Sequence, residues 1–355
     1  MQSKSIVIAA ILCSAISVSQ MPFGPVHGSN HETRQQKLIE AAKKEALLNI
    51  TSVWAPIESS AIFDAFAKHY SFIKVRQTIM SGREGFERIR AEFASGRRAT
   101  DLIDTGIFDA SSAGMLQPWK DWFEIFPDTN KRAVDPSLAA AVEPSSVNGL
   151  FYRTDLVPRD LQPLMYAKLS DPRFAGGKLG YNIRQYEMLT YRYPKWSDEE
   201  ILRYAKEVLV PQNPKLCNGT TVCWDMLVRG EIWAIPAVTS AQYFSRHLPK
   251  GVVNIAIAPD VAPVDEGKTV VFLKGGPNPN AAKLFLHWMT TERAQEIFAK
   301  YRGRADPYDE KNIVGQWMKK HGAKMFNHPE SEREAKNRES GAAILRMLGL
   351  PVPKK

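Results

Sequence analysis

The sequence predicts an α/β protein of two domains, built from strands and flanking helices in alternation. Three observations carry this. Between Gln35 and Asp104, helical and β-rich stretches alternate, the pattern of a parallel sheet covered by helices on both faces. A second alternating series runs from Ser146 to Ala258. Once an N-terminal leader is removed, roughly 335 residues remain, enough for two domains of ordinary size.

The elements follow in order. Gln35–Ala46 reads as an amphipathic helix and Leu47–Trp54 as a strand that stops at Ala55-Pro56. Ser59 or Ser60 is placed to cap the next helix, whose Ile62, Phe63, Phe66 and Tyr70 share one face. Ile73–Ile79 is a second strand, Gly82–Gly96 a helix and Asp101–Asp104 a third strand. Asp101 is expected to bond backbone at the strand entry rather than to catalyse. Ser146 to Gly180 gives strand, turn, helix, turn and strand. Helices near Asp198–Leu209 and Trp224–Val228, a strand Glu231–Ile235, a helix Ser240–Leu248 and a strand Val253–Ala258 complete the second series. Val270–Leu273 is β-rich. Gly275, Gly276, Pro277 and Pro279 then interrupt both strand and helix. A helix capped by Asn278 or Asn280 carries Ala282, Phe285, Leu286 and Met289 at helical spacing. Residues 306–355 suggest short helices, expected to pack on the first lobe through Trp317, Phe326, Ile344, Leu345 and Leu348.

The termini and composition limit the function. Lys4 precedes an apolar run, Ile6–Val18, too short to span a bilayer but suited to a secretory signal peptide. Residues 1–19 are read as that peptide and 20–34 as a linker. The expected location is the periplasm, with Cys13 removed. Cys217 and Cys223 then remain, in CNGTTVC, and an oxidising compartment favours a disulfide between them. The net charge is +9. The basic residues are dispersed and no basic run is interleaved with aromatics, so nucleic acid is not an expected partner. The charge mildly favours anionic ligands. The chain has no Gly-x-Ser-x-Gly, His-Glu-x-x-His, P-loop or Gly-x-Gly-x-x-Gly, and enzyme activity is not expected. His321 and His328 are expected on a surface loop, without a metal.

Several segments, in this order, carry a family resemblance. They are Glu92-x-x-x-Gly96-Arg97 with Thr100-Asp101; Gly114-Met115-Leu116-Gln117-Pro118; Tyr152, Thr154 and Asp155; Asp171-Pro172 to Gly176; Arg229-Gly230-Glu231; and VVFLKGGPNPNAAKLFLHWM from Val270. Together they resemble the extracellular solute-binding proteins of ABC importers, in the ferric-iron-type branch, with the type II periplasmic-binding-protein fold. The resemblance covers roughly Ala41 to Tyr301. It implies two lobes, each a mixed or parallel sheet flanked by helices, with a ligand cleft between them: a first lobe from 35–145, a second from 146–265, a return to the first over 266–305, and crossovers near Val142–Asn148 and Pro263–Thr269. It implies a monomeric carrier that closes on a small molecule and delivers it to an ABC permease in the inner membrane, with no cofactor. A ligand sensor serving a membrane receptor is the alternative from another class.

In such sheets ligands bind beyond the carboxyl ends of the strands, where helices present their N-termini. The residues at those junctions are Trp54, Ser59 and Ser60; Ser81 and Arg83; Thr105; Asn182, Arg184 and Tyr186; and Thr239, Ser240 and Tyr243. Hydroxyls and two arginines suit a small organic anion such as a carboxylate, phosphate or phosphonate. Ferric iron is the alternative ligand. Iron-binding members use two adjacent tyrosines, whereas here Tyr243 is followed by Phe244.

Overall fold

A computed structural model describes residues 30–80, 82–265 and 267–352. The expected signal peptide and most of the linker lie outside the described residues. The strands are β1 Leu47–Ser52, β2 Lys74–Ile79, β3 Leu102–Thr105, β4 Ala140–Val142, β5 Ser146–Arg153, β6 Gly180–Asn182, β7 Lys215–Cys217, β8 Ala234–Thr239, β9 Ile255–Ile257, β10 Ala262–Asp265, β11 Thr269–Phe272 and β12 Met325–Asn327. The α-helices are α1 Asn30–Glu45, α2 Pro56–His69, α3 Gly82–Ala94, α4 Ile107–Ser112, α5 Trp122–Ile125, α6 Asp198–Tyr204, α7 Thr220–Val228, α8 Pro279–Met289, α9 Glu292–Ile297, α10 Ile313–Lys320 and α11 Glu330–Met347.

The first lobe is a five-stranded sheet in the order β2-β1-β3-β11-β4. β1 runs parallel to β2 and β3, as the alternation predicts, while β11 is antiparallel to β3 and β4. Leu48 and Ile50 of β1, Phe66 of α2 and Phe285 and Trp288 of α8 bury one face. Phe86 and Ile89 of α3, Ile103 and Val271 cover the other. Asp101 ties the return segment to the strand entry. It accepts from Asn49 N at 2.7 Å and from Asn278 N at 2.7 Å and Nδ2 at 3.0 Å. The Asn278 side chain is therefore spent on Asp101 and makes no cap bond to α8.

The second lobe is ordered β12-β10-β5-β8, with β9 also on β5 and β6 joined to β8 through Leu179 and Ala234. β5 is buried along nearly its whole length, as a central strand must be. β8 begins three residues later than the expected Glu231. Gly230, at φ +78°, ends the preceding helical turn, and Trp233 N is held by Lys178 O at 2.6 Å before the strand begins.

The C-terminal segment corrects an expectation. It packs on the second lobe, not the first. β12 pairs in parallel with β10, and Ile344 and Leu345 of α11 sit in the core formed by Leu150, Tyr166 and Leu189. Trp317 of α10 packs against Phe151 and Tyr243 on the other face of the same sheet. The polar face of α11 is solvated, as its alternating charges predict, but its apolar residues complete a core that the second lobe otherwise leaves open.

Two chain segments link the lobes in adjacent strands, β4 to β5 and β10 to β11. They are joined by Glu143 N donating to Lys268 O at 2.7 Å. A third crossing follows Arg302. Gly303 there has φ +64°, and a Cβ on it would lie 2.0 Å from Ala241 O, so only glycine permits this close approach to the second lobe.

Candidate functional site

Strand register places the site. Thr269, which opens β11, lies beside Thr105 and Val142, so the carboxyl ends of β3 and β4 leave the first lobe where the crossovers begin. Asn148 near the start of β5 pairs with Thr239, and Asn182 pairs with Cys217, so the carboxyl ends of β8, β6 and β7 face back toward the first lobe. The two sets of strand ends thus oppose each other across the crossovers.

On the second lobe, Asn182 is buried and organises the β6 end. Its Oδ1 accepts from Arg184 N at 3.1 Å and Gln185 N at 3.3 Å, and its Nδ2 donates to Thr220 Oγ1 at 3.1 Å. Gln185 also bonds Thr220. Thr220 opens α7, whose N-cap is Gly219 at φ +113° with no side-chain cap. The first turn of a helix leaves N–H groups unpaired and carries the positive end of the helix dipole. Cys217 and Cys223 are bonded, with Cα atoms 5.2 Å apart, and this closes the loop that presents this turn.

Two arginines flank the same turn. Arg184 is exposed, makes no ion pair among the described residues, and its stem reaches the Gly219 backbone, with Cδ 3.7 Å from where a Cβ would stand. Arg246 is exposed and donates to Thr221 Oγ1 at 3.3 Å. Two guanidinium groups beside a helix N-terminus repel one another and the dipole unless an anion lies between them.

At the first-lobe end lies a buried charge network. The buried Glu143 carboxylate accepts from Trp54 Nε1 at 2.8 Å and Arg302 Nε at 3.1 Å, with Arg304 Nε at 3.8 Å. Arg302 also donates to Glu58 at 2.7 Å. Arg304 Nη1 lies 4.0 Å from Asp265, whose carboxylate holds Ser146 N at 2.7 Å and the Ser146 hydroxyl. Asp104, at the end of β3, is 3% exposed and accepts one long hydrogen bond, from Val53 N at 3.4 Å. Burial, then the Glu143 charge, pushes its pKa above the usual carboxylate range. A cavity of about 640 Å³ borders the crossovers, lined among others by Arg132, Glu143, Pro144, Asp306 and Tyr308.

The residues singled out from sequence separate into three sets. Asn182 and Arg184 stand together at the β6 end. Thr239 and Ser240 lie at the crossovers and are engaged there, Thr239 with the Ser146 hydroxyl at 2.7 Å and Ser240 Oγ with Val147 N at 3.2 Å. Thr105 is half-buried and its carbonyl accepts from Thr269 Oγ1 at 2.6 Å. Others are corrected. The Trp54 ring is buried against Phe63, Phe285 and Phe298, not open to a ligand. Neither Ser59 nor Ser60 caps α2. Pro56 starts that helix and Glu58 Oε2 accepts from Ala55 N at 3.1 Å, which puts Ser59 inside it, bonded to Pro56 O, and Ser60 on its exposed side. Tyr186 packs against Gly341 of α11. Tyr243 is a core residue. It stacks on Trp224, its hydroxyl donates to Val252 O at 3.0 Å, and burial pushes its pKa up to about 12. Ser81 lies outside the described residues, as does the side chain of Arg83, which is in the first turn of α3. Sequence reasoning missed Asp104 as a site residue, along with Glu143, Gln185, Thr220, Arg246, Arg302 and Arg304. The Arg-Gly-Arg run at 302–304 and the acid closing the apolar Leu-Ile-Asp strand are the signals that pointed to some of them.

Solved structures share this architecture. Iron-bound HitA from Pseudomonas aeruginosa matches with a TM-score of 0.64 at 16% identity, over 85% of this chain and 99% of its own. The substrate-binding protein of an ABC transporter from Agrobacterium tumefaciens matches with a TM-score of 0.66 at 14% identity, over 85% and 96%. The ferric binding protein from Campylobacter jejuni matches with a TM-score of 0.65 at 18% identity, over 86% and 100%. These likenesses establish the two-lobed fold. No curated protein matches the sequence. The family model for bacterial extracellular solute-binding proteins matches residues 55–296, from the turn after β1 through α9, so this chain belongs to that family.

Proposed function

We propose that this protein is the periplasmic substrate-binding component of an ABC importer and that its ligand is a small organic anion. The observation that carries the ligand class is the pair Arg184 and Arg246 at the uncapped N-terminus of α7, with no carboxylate partner for either among the described residues. Arginine binds carboxylate or phosphate bidentately, and the Gln185 amide and the α7 backbone supply further donors. The ligand then bridges to the first lobe, and contacts made only in the closed form drive rotation about the crossovers. The closed form docks on a membrane permease. The protein acts on the ligand by binding alone and is not an enzyme.

Ferric iron is the second reading, favoured by the iron-bound and ferric-binding structures of the same fold. Against it stands the position of Tyr243, whose phenol is committed to Val252 O in the core, with Phe244 next to it. A thermal-shift panel of the mature protein tests both readings. Small carboxylates, phosphonates and phosphate should raise the midpoint by mass action. A rise with ferric citrate and with no iron-free anion, accompanied by a coloured complex, would overturn the anion reading.

A further inference from the structure

Basic residues that are dispersed along the sequence gather at one end of the first lobe. β11 runs from Thr269, at the crossovers, to Phe272, which pairs with Leu102 at the start of β3. Leu47 at the start of β1 pairs with Lys74 at the start of β2. The end of the sheet remote from the crossovers therefore collects Lys74 on β2, Lys44 in the last turn of α1 leading into β1, Arg97 on the approach to β3, and Lys274 just after β11. All four are exposed, and none forms an ion pair among the described residues. In the order β2-β1-β3-β11, with strands about 4.8 Å apart, they make a row about 15 Å long.

Lys274 stands between Leu273 and Gly275, which line a cavity of about 540 Å³. Lys120, exposed, and Lys283, half-buried, line the same cavity, and Lys283 Nζ is 5.4 Å from the centroid of the Trp119 ring. Asp121 is the one acid in the lining, and it pairs with neither lysine. The other acids at this end are engaged. Glu45 accepts from Ala281 N at 2.7 Å and Asn280 N at 3.2 Å, and the buried Asp101 is held by Asn49 and Asn278. The exposed Ile57 and Ile79 lie at the opposite end of the lobe, beyond the carboxyl ends of β1 and β2. A cationic face without an apolar centre lacks what protein interfaces carry at their core, but it matches a surface of phosphates.

We infer that this end of the first lobe holds the protein on an anionic phospholipid surface, with a phosphodiester headgroup seated in the cavity at Lys120 and Lys283 and the row from Lys74 to Lys274 lying on neighbouring headgroups. Each Lys or Arg at such a surface multiplies partitioning about fivefold, so a row of this length retains a folded protein without a lipid anchor. The inference uses the extracellular location of the solute-binding family and does not depend on what the cleft binds.

Flotation of the mature protein with vesicles tests it. Vesicles of phosphatidylglycerol and phosphatidylcholine should retain at least about tenfold more protein than phosphatidylcholine alone, and high salt should abolish the difference. Lys44→Glu, Lys120→Glu and Lys274→Glu combined should lower retention at least about tenfold. The same charge change on the second lobe, Lys206→Glu, Lys250→Glu and Lys324→Glu, should leave it within about threefold. All six side chains are exposed, so the unfolding midpoints should stay near that of the wild type. If the first triple variant does not fold, Lys274→Glu alone should still lower retention at least about fivefold. Equal retention by the two kinds of vesicle overturns the inference, and so does an equal loss in the two triple variants, which would make net charge the cause. Displacement from vesicles by micromolar glycerol 3-phosphate overturns the lipid assignment in favour of a free phosphate ester.

Discussion

At the scale of single residues, stability and binding depend on which polar groups are already satisfied and which are not. The Glu143 side chain has no exposure and three partners drawn from the first lobe and the third crossover, so its loss leaves buried Arg302 with Glu58 alone and buried Arg304 with only the 4.0 Å approach to Asp265. Glu143→Ala should cost about 3–5 kcal/mol of stability, read from denaturant unfolding, the range for removing one member of a buried ion pair. A loss below about 1 kcal/mol would mean that the network is hydrated and contributes little. Residues of this kind were the least legible in the sequence. Trp54 and Tyr243 sit next to strand ends, as cleft residues do, but Phe285 and Phe298 in one case and Trp224 and Trp317 in the other draw them into the core. Those neighbours lie far away in sequence, and no local pattern announces them. The position of Asn182 and Arg184 at the β6 end was legible because it follows from the strand end alone.

At the scale of elements, β1–α2–β2–α3–β3 was readable from hydrophobic spacing, which fixes each helix face and the parallel sheet together. The placement of α11 was not, since its alternating charges mark a solvated face but its few apolar residues, Ile344 and Leu345, do not say which lobe they complete. Ile344→Ala should cost about 2–5 kcal/mol, because Ile344 is fully buried in the second-lobe core. If α11 were a detachable surface helix, the unfolding midpoint would not move. The loop between Cys217 and Cys223 makes a separate prediction. Reducing it should lower stability by about 2 kcal/mol through the entropy of a short closed loop, and should weaken anion binding because the α7 N-terminus loses its tether. Unchanged affinity after verified reduction would dissociate that turn from the site.

Two histidines, His328 buried and His287 half-buried, set a pH dependence. His328, before α11, stacks on Tyr191 and lies against Tyr193 O and Asn337; burial lowers its pKa to about 4. His287 on α8 is likewise lowered to about 4 by burial. In the unfolded chain both take up a proton near pH 6.5, and in the folded protein they do so only near 4, so the unfolded state binds more protons between those values. Stability should therefore be full above about pH 6.5 and fall as the pH drops toward 4, by a few kcal/mol. His328→Gln should flatten part of that slope. A midpoint constant across this window would contradict the buried neutral state.

At the scale of the whole molecule, the proposed binding mechanism depends on the crossovers. Three chain segments cross between lobes in one region, two of them joined by the Glu143–Lys268 backbone bond, so rotation about them moves the strand ends of both lobes together. The two-lobed architecture and the crossover positions were legible through the order of segments from Glu92 to Met289, whereas the buried network of Glu143, Arg302 and Arg304 at the crossovers was not, because it joins residues far apart in sequence. Saturating ligand should shrink the radius of gyration in small-angle scattering, and an unchanged value would mean binding without closure.

The most direct test of the central claim is calorimetric titration of one stabilising anion into the wild type and Arg184→Ala. Removal of this exposed side chain should leave the ligand-free unfolding midpoint nearly unchanged. It should weaken binding by about 2–5 kcal/mol, as for a desolvated charge partner. Equal affinity in the two proteins would contradict an anion site at the α7 N-terminus.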